Sequence, residues 1–147
     1  MKTDTPPLPF GTALALAQRY LARQFTRTID ACGLPPVEWF TLNGLALRGS
    51  TLPIATIVDL LATNGLDRAA VDALVADMAG RGLIETTAET ATLTGAGHAR
   101  YEEIRDALDA DGQETFGRLD AERVESARSL LQQIAELDGD PIPTGRA

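Results

Sequence analysis

Three arginines follow one another at four-residue steps near the start of the chain: Arg19, Arg23 and Arg27. Because an α-helix brings residues four apart onto one face, this spacing predicts a basic stripe. Guanidinium groups can hold a carboxylate or a phosphate through charge-assisted hydrogen bonds. The alternative is a solvated face that pairs with acidic residues across a subunit interface, where exposed ion pairs contribute little. Both interpretations stay open at this stage.

His98 and Cys32 are the only histidine and the only cysteine. His98 could serve as a hydrogen-bond donor or a general base, or it could be a structural residue in the first turn of a helix. Cys32 is either a buried structural thiol or a redox sensor, and its place at a predicted helix C-terminus disfavours the thiolate that a sensor needs. One histidine and one cysteine, without carboxylates at ligand spacing, predict no metal site.

Catalytic motifs are missing from the sequence. It contains no nucleophile elbow, no phosphate-binding loop and no paired carboxylates, so we assign no catalytic residue and no cofactor. An enzyme stays a minor alternative, in which His98, a tyrosine or Glu38 would carry the chemistry.

The composition is that of one globular domain. The chain has 147 residues, and its 13 cations, 12 of them arginine, oppose 21 anions, giving a net charge of −8. An acidic chain is repelled by nucleic acid unless its cations gather on one face. Without a long apolar run or a secretory signal, the sequence predicts a cytoplasmic protein with no membrane partner.

Apolar periodicity predicts six helices and one hairpin. Asp67 has the features of an N-cap for the fourth helix, and Thr51 those of an N-cap for a short third helix. We expect the helical pattern to be interrupted at 109–112, between the fifth and the sixth helix. The helices are expected over 11–32, from Pro35 to Gly49, from Thr51 to Asn64, 67–80, 96–108 and 119–137, and the hairpin over 83–94.

Three segments carry a resemblance to a known family. They are 34–39 (LPPVEW), 67–85 (DRAAVDALV through RGLIE) and 92–97 (TLTGAG). In order and spacing they resemble the second helix, the recognition helix with the first wing strand, and the second wing strand of the MarR family of transcription regulators. The similarity covers about residues 11–137.

The resemblance implies a mostly α fold: a winged helix-turn-helix with N- and C-terminal dimerisation helices, α+β in that it includes a small β-hairpin wing. It divides the chain into a flexible N-terminal arm at 1–10, a helical dimerisation region at 11–33 and 96–137, the winged helix-turn-helix at 34–95, and a loose tail at 138–147.

The resemblance also implies partners: a second copy of the chain, double-stranded DNA, and a small aromatic or anionic ligand. The ligand would lie between the dimerisation region and the winged domain. Plain core packing is the alternative for the aromatic residues of this region, although polar tips suit tyrosine and tryptophan to a pocket. The candidate pocket residues are Tyr20, Arg23, Trp39, Phe40, His98 and Tyr101.

The fourth helix would read the DNA major groove, which requires donors or acceptors on its outer face. Its apolar stripe, Val71, Leu74 and Met78, predicts that alanines point outward. In the family, Ser-Arg typically stands where this chain has Asp72-Ala73. The candidate DNA-binding residues are Arg68, Ala69, Asp72, Ala73, Ala76 and Arg81.

The predicted wing departs further from the family, whose wings usually carry an arginine for the minor groove. Here the loop 87–90 is short and acidic. Residues 66–94 hold two cations and five anions, a net charge of −3. Each missing phosphate contact removes counterion release, a main source of affinity for DNA.

Two functions therefore remain. The leading hypothesis is a MarR-like, ligand-responsive transcription regulator with an atypical, acidic, alanine-rich DNA face. The alternative is a MarR-fold protein repurposed as a small-molecule-binding or catalytic protein that no longer binds DNA.

Overall fold

The structure, a computed structural model, describes residues 6–137. Its elements follow in the order α1 (Phe10–Cys32), α2 (Pro36–Leu47), β1 (Thr51–Pro53), α3 (Ile54–Ala62), α4 (Arg68–Gly80), β2 (Ile84–Thr86), β3 (Thr90–Leu93), α5 (Gly95–Phe116) and α6 (Ala121–Glu136). The mostly α class is confirmed. Residues 6–9 of the predicted arm are exposed and precede α1, whereas 1–5 and the predicted tail 138–147 lie outside the described residues.

Several helix ends coincide with local sequence signals. Asp67 caps α4, accepting a hydrogen bond from the Ala70 N–H at 2.8 Å, as predicted. Gly33 ends α1 with φ +75°, a left-handed conformation that glycine adopts without steric cost. Pro36 opens α2, where its missing N–H leaves no helical bond unmade.

The prediction for Thr51 is wrong. Thr51 does not cap α3 but lies in β1, opposite Thr92 of β3, and the two hydroxyls are 2.9 Å apart. Pro53 favours an extended conformation for Leu52 and has an extended ψ of 140° itself, so α3 begins at Ile54, two positions later than a cap at Thr51 predicts. The predicted hairpin is thus part of a three-stranded antiparallel sheet in the order β1-β3-β2.

The predicted break at 109–112 is also wrong. α5 runs unbroken to Phe116, and α6 starts at Ala121 rather than at Leu119, capped by Asp120. A single glycine inside a helix costs about 1 kcal/mol relative to alanine, which tertiary contacts easily offset. One such contact joins α5 to α1, where the Thr115 hydroxyl donates to Gln24 Oε1 at 2.9 Å.

The core lies in the middle of the chain. It unites the end of α1 with α2, α3, α4, the sheet and one residue of α5, Ile104. By contrast, none of the residues of α6 is buried, and α1 has no buried residue before Thr28. The first and last helices therefore keep apolar faces that this chain does not cover.

Candidate functional site

The outward face of α4 is built from very small side chains. Val71, Val75 and Met78 are buried on one side of the helix. On the opposite side Ala69, Ala73, Ala76 and Gly80 are all exposed. Such a face offers methyl groups for contact and no bidentate hydrogen bond to a base edge.

Both arginines beside this face are engaged in ion pairs. Arg68 Nε lies 3.0 Å from Asp72 Oδ1. Arg81 donates from Nη2 to Asp77 Oδ2 at 2.7 Å and from Nη1 to Glu38 Oε1 at 2.9 Å. The hydrogen bond to Glu38 raises the pKa of Arg81 above its ordinary value. A phosphate would have to compete with these carboxylates for each guanidinium.

The predicted wing consists of β2, β3 and a tight turn between them, and its charged side chains are acidic. The Thr87 N–H donates to the Thr90 carbonyl at 2.9 Å, and the Thr90 N–H donates to the Thr87 hydroxyl at 3.0 Å. Glu85 and Glu89 are exposed beside this turn. The net negative charge of residues 66–94 therefore lies on α4 and the predicted wing, the two elements that would contact DNA.

Three of the predicted pocket residues lie in two aromatic stacks. The rings of Trp39 and Tyr101 are 5.4 Å apart and nearly parallel, and the Arg105 guanidinium lies 5.7 Å from the Tyr101 ring centre. Phe40 stacks on Phe25 of α1, with ring centres 5.7 Å apart. These rings contact one another, so α2 is joined to α5 by one stack and to α1 by the other.

The remaining predicted pocket residues lie elsewhere. Tyr20 accepts a hydrogen bond from Gln24, which in turn contacts Thr115 of α5. Thr115 follows Tyr101 by fourteen positions, about 21 Å along the helix. His98 Nε2 is 3.1 Å from the Ser50 hydroxyl, and Arg23 is exposed on α1. The described residues of this chain therefore do not bring the six side chains together in one pocket.

A cavity that the sequence analysis missed lies between α2 and α3. Its volume is about 380 Å³. Arg48 is half-buried there and makes no ion pair within residues 6–137. An apolar floor with amide, hydroxyl and guanidinium groups suits a small molecule with an anionic group. The lining consists of Phe40, Asn43, Gly44, Leu47, Arg48, Leu60, Thr63 and Asn64.

A larger groove of about 720 Å³ runs between α1 and α6. Its exposed surface is almost entirely apolar, although two arginines and one aspartate are among the residues that line it. The lining consists of Ala17, Leu21, Phe116, Leu119, Asp120, Arg123, Val124, Ala127, Arg128 and Leu131.

Within residues 6–137, no group of three histidine, cysteine or acidic side chains could hold a metal ion. None of the described helices combines the length and the apolarity that crossing a bilayer requires.

Comparison with known proteins identifies the fold. No family model and no curated protein matches the chain. Solved structures do match. The MarR family protein Rv2887 of Mycobacterium tuberculosis, in complex with DNA, is 20% identical over 87% of this chain and 98% of its own, with a TM-score of 0.71. Wild-type MarR of E. coli is 15% identical over 88% and 98%, with a TM-score of 0.69.

A third structure is BpsR of Bordetella bronchiseptica, 23% identical over 85% of this chain and 97% of its own, with a TM-score of 0.65. These identities are low, so the likeness concerns the fold. The chain has the winged helix-turn-helix fold of the MarR-family regulators, with α3 and α4 as the helix-turn-helix and β2 and β3 as the wing. The resemblance drawn from the sequence is confirmed at this level.

Proposed function

We propose that this protein is a ligand-responsive transcription regulator that acts in the cytoplasm as a homodimer. The observation that carries this proposal is the fold shared over 87% of the chain with a regulator crystallised on DNA. In this proposal α4 is the reading helix, and its outward face is open to solvent.

The homodimer is supported by the apolar surface of the first and last helices. Leu14 and Leu21 on α1, and Leu131 and Ile134 on α6, are exposed although they lie on apolar stripes. A 16-residue helix with no buried residue gains little from its own chain, and isolated helices of this length are marginal in water. A second copy that packs its own α1 and α6 here would bury these stripes and fill the 720 Å³ groove.

The ligand class is proposed from the α2–α3 cavity. Its volume falls within the roughly 300–1,000 Å³ of small-molecule sites. Arg48 can bind a carboxylate, and Phe40 and Leu47 can contact an aromatic ring. Rv2887 has been crystallised with salicylic acid, and DNA binding by BpsR is regulated by 6-hydroxynicotinic acid. Small aromatic acids are therefore the ligands we propose for this protein.

The ligand proposal is tested by titrating salicylate into the protein and following binding by calorimetry. Arg48→Gln is expected to weaken binding about tenfold, because one charge-assisted hydrogen bond is lost. Arg118→Gln removes a distant cation and is the matched control. Equal binding by both variants would contradict the assignment of this cavity.

A specific observation favours the alternative, a MarR-fold protein that no longer binds DNA. Arg68 and Arg81 are both held by carboxylates, and the wing adds further acid. Positively charged contacts supply most non-specific affinity for DNA, and this face lacks free ones among the described residues. A protein that only binds a small molecule would need the α2–α3 cavity and the dimer, but no cations on the outward face of α4.

Binding to random duplex DNA over a series of salt concentrations separates the two functions. A regulator is expected to bind at low salt, with an affinity that falls as salt rises. Absence of binding at the lowest salt would exclude the regulator and leave only a protein that no longer binds DNA. Ala73→Arg places a cation at the centre of the outward face and is expected to raise affinity at low salt. Gln133→Arg, on α6, adds the same charge elsewhere and controls for net charge.

A further inference from the structure

Three consecutive residues of α2 contact three different helices. Glu38 accepts a hydrogen bond from Arg81, which follows the last residue of α4. Trp39 stacks on Tyr101 of α5. Phe40 stacks on an aromatic ring of α1. A displacement of the start of α2 would therefore disturb its contacts with all three helices.

The contact with α4 is the polar member of this set. Glu38 is only 2% exposed, and a buried carboxylate is costly unless it is paired. Arg81 supplies the pair at 2.9 Å and stays 45% exposed itself. From the same planar guanidinium, Nε and Nη2 bind Asp77 on the last turn of α4. Lysine, with a single ammonium group, has no equivalent geometry.

Arg68 provides an internal contrast. It pairs with Asp72 four residues later on α4, as Arg81 pairs with Asp77 four residues earlier. Both of these pairs are exposed, and exposed pairs contribute little to stability. Of these two arginines, only Arg81 also contacts another helix, through Glu38 of α2. Each arginine thus pairs with an aspartate four residues away, but Arg81 in addition binds a carboxylate of α2.

We propose that Arg81 is a positioning residue that couples α2 to α4, rather than a residue that contacts DNA. The α2–α3 cavity lies along the same helix, α2, that carries Glu38. A ligand that shifts α2 then moves the end of α4 through the Glu38–Arg81 pair. This last step rests on the proposed function, whereas the coupling itself does not.

Hydrogen exchange of the full-length protein tests the coupling without DNA or ligand. In Arg81→Gln we expect the first hydrogen-bonded amides of α2, at residues 40–42, and the last turn of α4 to exchange about tenfold faster, with other protected amides unchanged. Arg68→Gln, the matched control, is expected to keep the original rates in both segments. Faster exchange at every protected amide, or at none, would overturn the proposal.

A second set of variants keeps the test decisive. Glu38→Gln combined with Arg81→Gln is expected to change exchange no more than the worse single variant, because the two residues act as one unit. Additive effects would contradict this. If Arg81→Gln does not fold, Arg81→Lys retains the charge and is expected to accelerate the same two segments to a smaller degree.

Salicylate then serves as the probe of the ligand step. In the original protein, its binding is expected to change exchange in the last turn of α4, and in Arg81→Gln this change is expected to disappear while binding persists. A change that persists in Arg81→Gln would overturn the transmission step. Failure of salicylate to bind the original protein would contradict the proposed ligand class, and the exchange pattern without ligand would still decide the coupling.

Discussion

Met78 of α4 and Leu131 of α6 are both aliphatic residues on the apolar stripes of helices, yet Met78 is fully buried and Leu131 is 44% exposed. The difference separates two regions. Residues 34–95 supply most of the core, whereas α1 and α6 keep apolar faces open. The apolar stripes of the first region are mostly buried within one chain, whereas those of α1 and α6 would be buried only by a partner. In the proposed dimer, the stability of the first region would be mostly intramolecular, whereas the stability of α1 and α6 would depend on protein concentration.

The largest effect is expected from Leu131→Asp. Each two-fold dimer would bury two carboxylates in an apolar groove, so the dissociation constant should rise by more than about a hundredfold. Analytical ultracentrifugation measures this, with Gln133→Asp, off the stripe of α6, as the control. If Leu131→Asp dimerises as the original protein does, the proposed interface is wrong.

Leu42→Ala should act on the other region. Leu42 is fully buried, so truncation is expected to lower the free energy of unfolding by about 2–5 kcal/mol through lost burial and a residual cavity. Urea denaturation gives this value, and Leu47→Ala, at a half-exposed position of the same helix, should cost less. Equal losses for both would show that the cost of truncation on α2 does not follow the burial of the side chain.

Gly97→Ala tests the contact of α5 with the first region. A Cβ at Gly97 would clash with the Leu83 carbonyl and approach the Leu93 side chain, so we expect a loss of about 1–3 kcal/mol. Gly95 has open space around its Cβ position, and Gly95→Ala serves as the control. A thermal unfolding series measures both. Unchanged stability of Gly97→Ala would show that α5 does not pack this closely on the sheet.

The smallest effect is expected at Ser50, which has φ +73° and lies where α2 passes into β1. Ser50→Gly should gain about 1 kcal/mol over Ser50→Ala, because both variants lose the hydrogen bond to His98 but only glycine relieves the backbone strain. Chemical denaturation of the two variants isolates this difference. Equal stability would argue against strain at the junction.

Most of the fold could be predicted because its signals are local. The cap at Asp67, the glycine at the end of α1 and the stripe of α4 each depend on residues within a few positions. β1 was missed because its identity as a strand depends on Thr92, 41 positions away. The continuity of α5 was missed because Gly112 reads as a break until packing on α1 is known.

The candidate site was less predictable. Helical periodicity placed Ala69 and Ala73 on the outward face of α4, where the structure has them. The pairing of Arg81 with Glu38, 43 positions earlier, has no local signature, so Arg81 looked like a free cation. The α2–α3 cavity was hidden for the same reason, because its walls come from two helices whose approach only the tertiary structure defines.

The wing tip has a consequence for engineering. The Glu89 carbonyl accepts a hydrogen bond from the Ile54 N–H at 2.8 Å, which tethers the tip of the turn to the first residue of α3. The tip is therefore held next to α3, and residues 87–89 form a short edge between β2 and β3 rather than an extended loop that could enter a groove. Replacing Glu89 by a cation would change the charge of that edge but not its length. Restoring groove insertion would require grafting extra residues between β2 and β3.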